Sequence, residues 1–270
     1  MIIRIDSIDN IIQDVANVLH LKPTKMIEEI GEIDFDNNSK MGFEYVLQHK
    51  HETLTEIYLC HLTRHLKNDD GKILHPLKEL LLNKNEFSSF LQKHKIQFVL
   101  GNNGDIELFF KNQRCNWENK EDRKFNVARF RSRLSQDFCV NGFQFLYDIK
   151  HSCCTNYSYY MQVPEFIYDL ECLLKINLVN EYQKLSSSYV ALCRLPVGKV
   201  LFARAYREYD FETQYLYHTL NYIWEYMCKT SVFKCATNPI LCALDNISVP
   251  VEAWITDDKI LNYQRRKKEL

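Results

Sequence analysis

The chain has few of the residues that build backbone-made phosphate sites. It holds 7 glycines in 270 residues and contains neither G-x-x-x-x-G-K-[ST] nor G-x-G-x-x-G. Both motifs need glycine so that main-chain N–H groups can close around a phosphate, and a nucleotide site of either kind is therefore excluded. H-E-x-x-H and G-x-S-x-G are missing too, which removes a helix-borne zinc and an esterase elbow. Proline is equally scarce, 6 in all, and no Pro/Gly-rich linker divides the chain. An excess of one charge sign is absent as well. Lys plus Arg is 34 against 35 for Asp plus Glu, a net charge of −1, so a nucleic acid must be met by a local patch. No apolar run approaches the ~20 residues that cross a bilayer, and no basic segment leads into an apolar core after Met1. The expectation is a cytoplasmic protein with no membrane partner.

What is present is material for a core, with 46% hydrophobic and 13% aromatic residues. Ten cysteines are spread from Cys60 to Cys242 without a single C-x-x-C; the one close pair, Cys153-Cys154, is adjacent. A structural zinc needs paired thiolates presented by one loop, so no metal is expected. A cytosolic chain keeps its thiols reduced, and most of these cysteines read as small core residues.

Apolar positions at three- and four-residue spacing, Ile8, Ile11, Ile12, Val15, Val18 and Leu19, predict an amphipathic helix capped by Asp6 or Ser7. The acidic segment from Glu28 to Asp36 and the following Asn37-Asn38-Ser39 read as loop. Glu56 to Arg64 reads as a strand closed by Asn68-Asp69-Asp70-Gly71, and Pro76 opens a helix with Leu77, Leu80 and Leu81 on its buried side. Gln97–Leu100 and Ile106–Phe110 flank Gly101-Asn102-Asn103-Gly104, a hairpin signal. Val140 to Ile149 reads as a strand, Pro164 as a helix start, Tyr189–Leu195 and Val200–Ala205 as strands joined by Pro196-Val197-Gly198, and Phe211–Met227 as a helix. Ile240 to Ile255 supplies the last strands. Without regular β-α alternation, an α+β fold with a mixed sheet and flanking helices is expected. It divides into an N-terminal helical segment (1–50), an α+β catalytic-like domain (51–260) and a basic tail (261–270).

Between Lys111 and Arg133 the charge turns locally basic. Arg114, Arg123, Lys124, Arg129, Arg131 and Arg133 alternate with Trp117, Phe125 and Phe130. Basic residues interleaved with aromatics can follow a phosphate backbone and stack on unpaired bases, which nominates Arg114, Trp117, Arg123, Lys124, Arg129, Arg131 and Arg133 as contacts for RNA or single-stranded DNA. A solvated helix face is the plainer reading of the same charges.

Tyr58-Leu59-Cys60-His61-Leu62-Thr63-Arg64, followed by Gly71-Lys72-Ile73-Leu74-His75-Pro76-Leu77, resembles the first motif of the ADP-ribosyltransferase fold in its toxin-like His-Tyr-Glu branches. The resemblance implies an ADP-ribosyltransferase-like core and NAD as co-substrate, with no metal. His61 would hydrogen-bond a ribose hydroxyl, and Thr63 or Arg64 would contact the polar half of the dinucleotide. A compact imidazole suits the first role, and an always-charged guanidinium suits a pyrophosphate. The family's nicotinamide-stacking aromatic falls on Tyr157 or Tyr160 within Asn156-Tyr157-Ser158-Tyr159-Tyr160-Met161. Its carboxylate, which stabilises positive charge developing as nicotinamide departs, falls on Glu165, Glu212 or Glu252. Glu165 and Glu212 also read as ordinary acids at helix starts, where the dipole favours them.

The function the resemblance implies is an NAD-dependent ADP-ribosyltransferase of toxin–antitoxin or phage-defence type. It would modify a nucleic acid or a protein, and an antitoxin or inhibitor protein would be its partner. Two other readings of the residues stay open. One is a metal-independent ribonuclease using His61 or His65 for proton transfer. The other is a non-catalytic interaction module with an exposed apolar surface.

Overall fold

In a computed structural model the described residues are 1–66, 71–118, 126–135, 139–151, 162–227, 238–244 and 248–256. The chain opens with three helices, α1 (Ile8–Val18), α2 (Pro23–Gly31) and α3 (Ser39–His49). Ser7 caps α1 by accepting from the Asn10 N–H at 3.1 Å, and Pro23 starts α2 where its missing N–H costs nothing. The acidic segment expected as loop is helical only at its start: Glu28 and Glu29 lie in the last turn and a half of α2, where Met26 and Ile30 are buried and Glu28 is exposed, while 32–38 follow the helix without regular structure. Asn38, expected in the same loop, is the cap of α3.

There follow β1 (Glu56–Leu66), β2 (Ile73–Leu74), α4 (Leu77–Leu82), α5 (Glu86–Lys93), β3 (Ile96–Leu100), β4 (Ile106–Phe110), β5 (Gln113–Arg114) and α6 (Val127–Ser135). The second half contains β6 (Asn141–Phe143), α7 (Leu146–His151), α8 (Glu165–Leu174), α9 (Val179–Leu185), β7 (Ser186–Pro196), β8 (Val200–Phe202), α10 (Phe211–Met227), β9 (Ile240–Ala243) and β10 (Val249–Thr256). The expected strand from Val140 to Ile149 is thus a three-residue strand followed by a helix. Phe143, Phe145, Tyr147 and Ile149 alternate as in a strand, while Phe145, Leu146 and Ile149 also suit one helix face, so the pattern carries a signal for either element.

The expected hairpin is present. Ile96↔Phe110 through Leu100↔Ile106 pair antiparallel, and Gly104 takes the turn with φ 86°, a backbone region open to glycine. With β5 it forms a small three-stranded sheet, while the main sheet has seven strands in the order β2-β10-β7-β1-β6-β9-β8. Every pairing in it is antiparallel, so the mixed sheet expected from sequence is corrected to an antiparallel one. Although Val197–Lys199 joins β7 directly to β8, the two lie at different places in the sheet, because β1 takes the neighbouring position with an eleven-residue ladder from Glu56↔Pro196 to Leu66↔Ser186.

Two apolar clusters hold the structure. One joins α1, α2, α3 and α10 to the main sheet through Ile11, Val15, Met26, Phe43, Leu59, Tyr215 and Ile223, so residues 1–50 share their core with the sheet. Phe43 is central there, stacked between Tyr209 and Tyr217 with both centroids at 4.0 Å. The other cluster joins α4, α5, α6, α8, α9 and the small sheet through Phe90, Trp117, Phe130, Phe166 and Tyr182. The six described cysteines are unbridged, with Cys60 and Cys193 buried. The basic tail at 261–270 lies outside the described residues.

Candidate functional site

The site begins at a change of pairing along β1. On one side β7 accompanies the strand to Leu66. On the other, β6 registers with it only at Cys60↔Phe143, so past Cys60 no described strand pairs with that edge. Gly142 allows the close approach. A Cβ there would stand 2.7 Å from Leu59 Cγ and 2.8 Å from the Cys60 carbonyl oxygen, and any side chain would push β6 away. The approach brings the Asn141 carbonyl to 2.5 Å from His61 Nδ1. A carbonyl can only accept, so the contact places the ring proton on Nδ1 and fixes the imidazole's orientation.

Beside this edge is a cavity of about 550 Å³, within the range of pockets that hold small molecules. His61, Thr63 and His65 line it from β1, Asn141 from β6, and Glu165 and Arg133 from α8 and α6. Glu165 Oε2 accepts from Arg133 at 2.9 Å, and its Oε1 lies 3.8 Å from Arg129. Arg129 in turn donates twice to Asp169, at 2.9 and 2.5 Å, and the Asp169 side chain is fully buried. Arginines four apart on α6 therefore face acids four apart on α8. This ion-pair ladder holds the Glu165 carboxylate at the cavity wall.

Of the residues nominated from sequence, the cavity gathers His61, Thr63, Arg64, Glu165 and Arg133. Arg64 also serves as a clamp inside the protein. It donates to Ser186 Oγ at 2.9 Å, Ser188 Oγ at 2.6 Å and the carbonyls of Ser186 and Gln183, tying β1 to the α9–β7 junction. Glu212 lies elsewhere, at the start of α10, where it accepts from the Leu54 N–H and pairs with Lys50. Glu252 on β10 is near Tyr58 and Arg194; burial and then the Glu252 charge hold the Tyr58 phenol above its ordinary value. Neither acid lines the cavity. Tyr157 and Tyr160 fall outside the described residues.

The basic stretch is dispersed rather than gathered into one face. Arg114 is exposed on β5 and pairs with Glu107 at 3.1 Å. Arg129 and Arg133 face α8, and Arg131 is exposed. Trp117, nominated to stack on bases, is instead a core residue packed edge-on against Phe130 at 5.1 Å. Arg123 and Lys124 lie outside the described residues.

Sequence reasoning did not nominate Asn141, Asp169 or His75. Asp169 follows Glu165 by one helical turn, a spacing that sequence could have matched to Arg129 and Arg133. His75 lines the cavity with Nδ1 2.9 Å from Glu79 Oε2, and its spacing to Glu79 was likewise legible. Asn141 acts through its backbone and left no signal. Among the described residues no group of three or more His, Cys, Asp or Glu could hold a metal ion, and no helix is long and apolar enough to cross a membrane. No family model, curated protein or solved structure matches the chain.

Proposed function

We propose that the protein is an NAD-dependent ADP-ribosyltransferase whose NAD site is the cavity beside β1, and that this part of the sheet serves as its ADP-ribosyltransferase-like core. The observation that carries the reading is convergence. His61 and Thr63 from β1 and Glu165 from the start of α8, the last being one of three acids the resemblance offers, lie far apart in the chain and line the same cavity. The chemistry of the lining fits a dinucleotide, since it combines imidazole, hydroxyl, guanidinium and carboxylate groups with apolar walls from Leu62, Val163 and Phe166.

In this reading His61, oriented by the Asn141 carbonyl, presents Nε2 to a ribose hydroxyl. Glu165 lies against the ribose and stabilises the positive charge that grows as the glycosidic bond to nicotinamide breaks. With the Arg64 guanidinium engaged by Ser186, Ser188 and Gln183, the pyrophosphate role passes to Arg133, whose planar fork exchanges the Glu165 carboxylate for a phosphate oxygen. Thr63 supplies a hydroxyl to the polar half, and Tyr157 or Tyr160 remains the residue proposed to stack on nicotinamide. The acceptor is a nucleic acid or a protein, and an antitoxin-like protein is the proposed regulator.

The test is incubation with NAD labelled in its adenylate half together with total RNA or cell lysate. Label should transfer to a macromolecule, and His61→Ala and Glu165→Gln should abolish the transfer. RNA cleavage without NAD, or neither transfer nor cleavage, would overturn the proposal in favour of a ribonuclease or a binding module.

A further inference from the structure

The small sheet has an outer face that takes no part in that scheme. Ile96, Phe98, Ile106 and Leu108 are buried in the second apolar cluster. Alternation along the strands therefore turns Gln97, Val99, Glu107 and Phe109 the other way, and the register sets Phe109 between Gln97 on β3 and Arg114 on β5. Phe109 is half-buried yet belongs to neither apolar cluster. An aromatic ring thus lies on the middle strand of a solvent-facing sheet, flanked by a planar amide and a planar guanidinium.

Two cations close one end of this sheet. The Lys111 N–H donates to the Lys95 carbonyl at 2.9 Å, so the two residues stand opposite each other beyond the Ile96↔Phe110 pair. Both are exposed, and both adopt left-handed backbone, with φ 61° at Lys95 and 51° at Lys111. Glycine or asparagine suits such positions better. Lysine at both stores backbone strain and sets like charges against each other, a repulsion that an anion lying between them would relieve. The Lys111 ammonium rests 5.0 Å from the centroid of the Phe110 ring. The three strands carry one acid, Glu107, which pairs with Arg114 at 3.1 Å. The Arg114 side chain is 57% exposed, so this pair is screened by solvent and a phosphate can replace the carboxylate at small cost.

We infer that the outer face of the β3-β4-β5 sheet binds single-stranded nucleic acid, with one base stacked on Phe109 and phosphates held by Lys95, Lys111 and Arg114. The occupant follows from the combination of groups. A flat ring on an open sheet takes an unpaired base, which a duplex keeps inside its stack, and the Gln97 amide stands beside the ring to meet the base edge. The cations match a phosphate backbone, whereas lysine is depleted from the surfaces that proteins present to each other. Of the described residues nominated from sequence for this role, only Arg114 belongs to the face, and Phe109 takes the part expected of the buried Trp117. Binding here needs no cofactor, so the inference does not rest on the NAD site.

The test is fluorescence anisotropy of labelled uridine RNA and thymidine DNA oligomers of about 12 nucleotides, titrated with the full chain in the absence of NAD at about 50–200 mM salt. Wild type should bind single strands, and a duplex of the same length more weakly. Phe109→Ala should weaken binding about 10-fold, the scale of one lost base stack, while Phe109→Tyr keeps the wild-type affinity. Phe109→Leu, which retains apolar bulk without the flat ring, should resemble Phe109→Ala and decides the case if the alanine variant fails to fold. The double variant Lys95→Gln with Lys111→Gln should lower the slope of log affinity against log salt by about 1.4, two phosphates at about 0.7 each. Binding of either oligomer with these losses supports the inference, and the tighter of the two names the source of the strand. No binding of either oligomer, wild-type affinity in Phe109→Leu, or an unchanged salt slope overturns it. Self-association that Phe109→Leu abolishes, in a chain that binds neither oligomer, also overturns it and makes the face an interface between copies.

Discussion

Replacing Asp169 with asparagine removes one charge from the buried end of the ladder behind Glu165. Asp169 is fully buried and takes two hydrogen bonds from Arg129, whose side chain is 29% exposed. Breaking a buried pair by removing one partner costs about 3–5 kcal/mol, because the other charge is left desolvated. Asparagine keeps one acceptor oxygen and Arg129 keeps some solvent and its contact with Glu165, so the lower end, about 3 kcal/mol, applies here. At roughly 2–4 °C per kcal/mol for a chain of this size class, the melting midpoint should fall by about 6–12 °C. Thermal unfolding followed by circular dichroism measures this directly. The paired replacement Arg129→Met with Asp169→Leu should recover most of the stability, since well-packed apolar residues can replace a buried ion pair at little cost. It should not recover NAD turnover, because Glu165 has lost one of its two arginines. A midpoint for Asp169→Asn within about 1 °C of wild type would refute the reasoning, for it would mean that the pair carries less than about half a kcal/mol.

Gly142→Ala should cost about 1–3 kcal/mol in the same assay, since the new methyl group meets the Cys60 carbonyl as well as Leu59, and it should weaken NAD binding by displacing Asn141 from His61. Among the aromatic residues of α10, burial pushes the His218 pKa down to about 4. The unfolded chain therefore binds this proton at higher pH than the folded one. The stability that His218 contributes as a neutral ring is fully present above about pH 6.5 and is lost as pH falls towards 4, a difference of about 3 kcal/mol. His218→Phe, against Phe202 and Tyr206, should flatten the melting midpoint over that window; an unchanged pH dependence would count against it.

Elements governed by local pattern were legible in the sequence. The hairpin at Gly101–Gly104, the helix Phe211–Met227 and the strand from Glu56 each carry their own periodicity or turn chemistry. The helix α3 was hidden because Asn38 and Ser39 serve equally in loops and caps, and α7 because the alternation of apolar residues with Gln144 and Asp148 over 143–149 reads as a strand while Phe145, Leu146 and Ile149 also suit a helix face. In the site, His61, Thr63 and Glu165 were nominated as residue types, with Glu165 one of three acids. What separates it from Glu212 and Glu252 is tertiary: of the three acids only Glu165 lines the cavity beside β1. The engagement of Arg64 depends on β1–β7 register, which sets it opposite Ser188. No local pattern encodes that alignment.

The central claim, that the cavity beside β1 takes NAD through Arg133, His61 and Glu165, is tested most directly by calorimetric titration of NAD into the wild-type chain and its Arg133→Gln variant. The account predicts binding by wild type and a loss of about 10–100-fold in affinity for Arg133→Gln, the scale of a hydrogen bond to a charged group at 1.5–3 kcal/mol. Equal affinity in the two proteins, or no NAD binding by wild type, would contradict it.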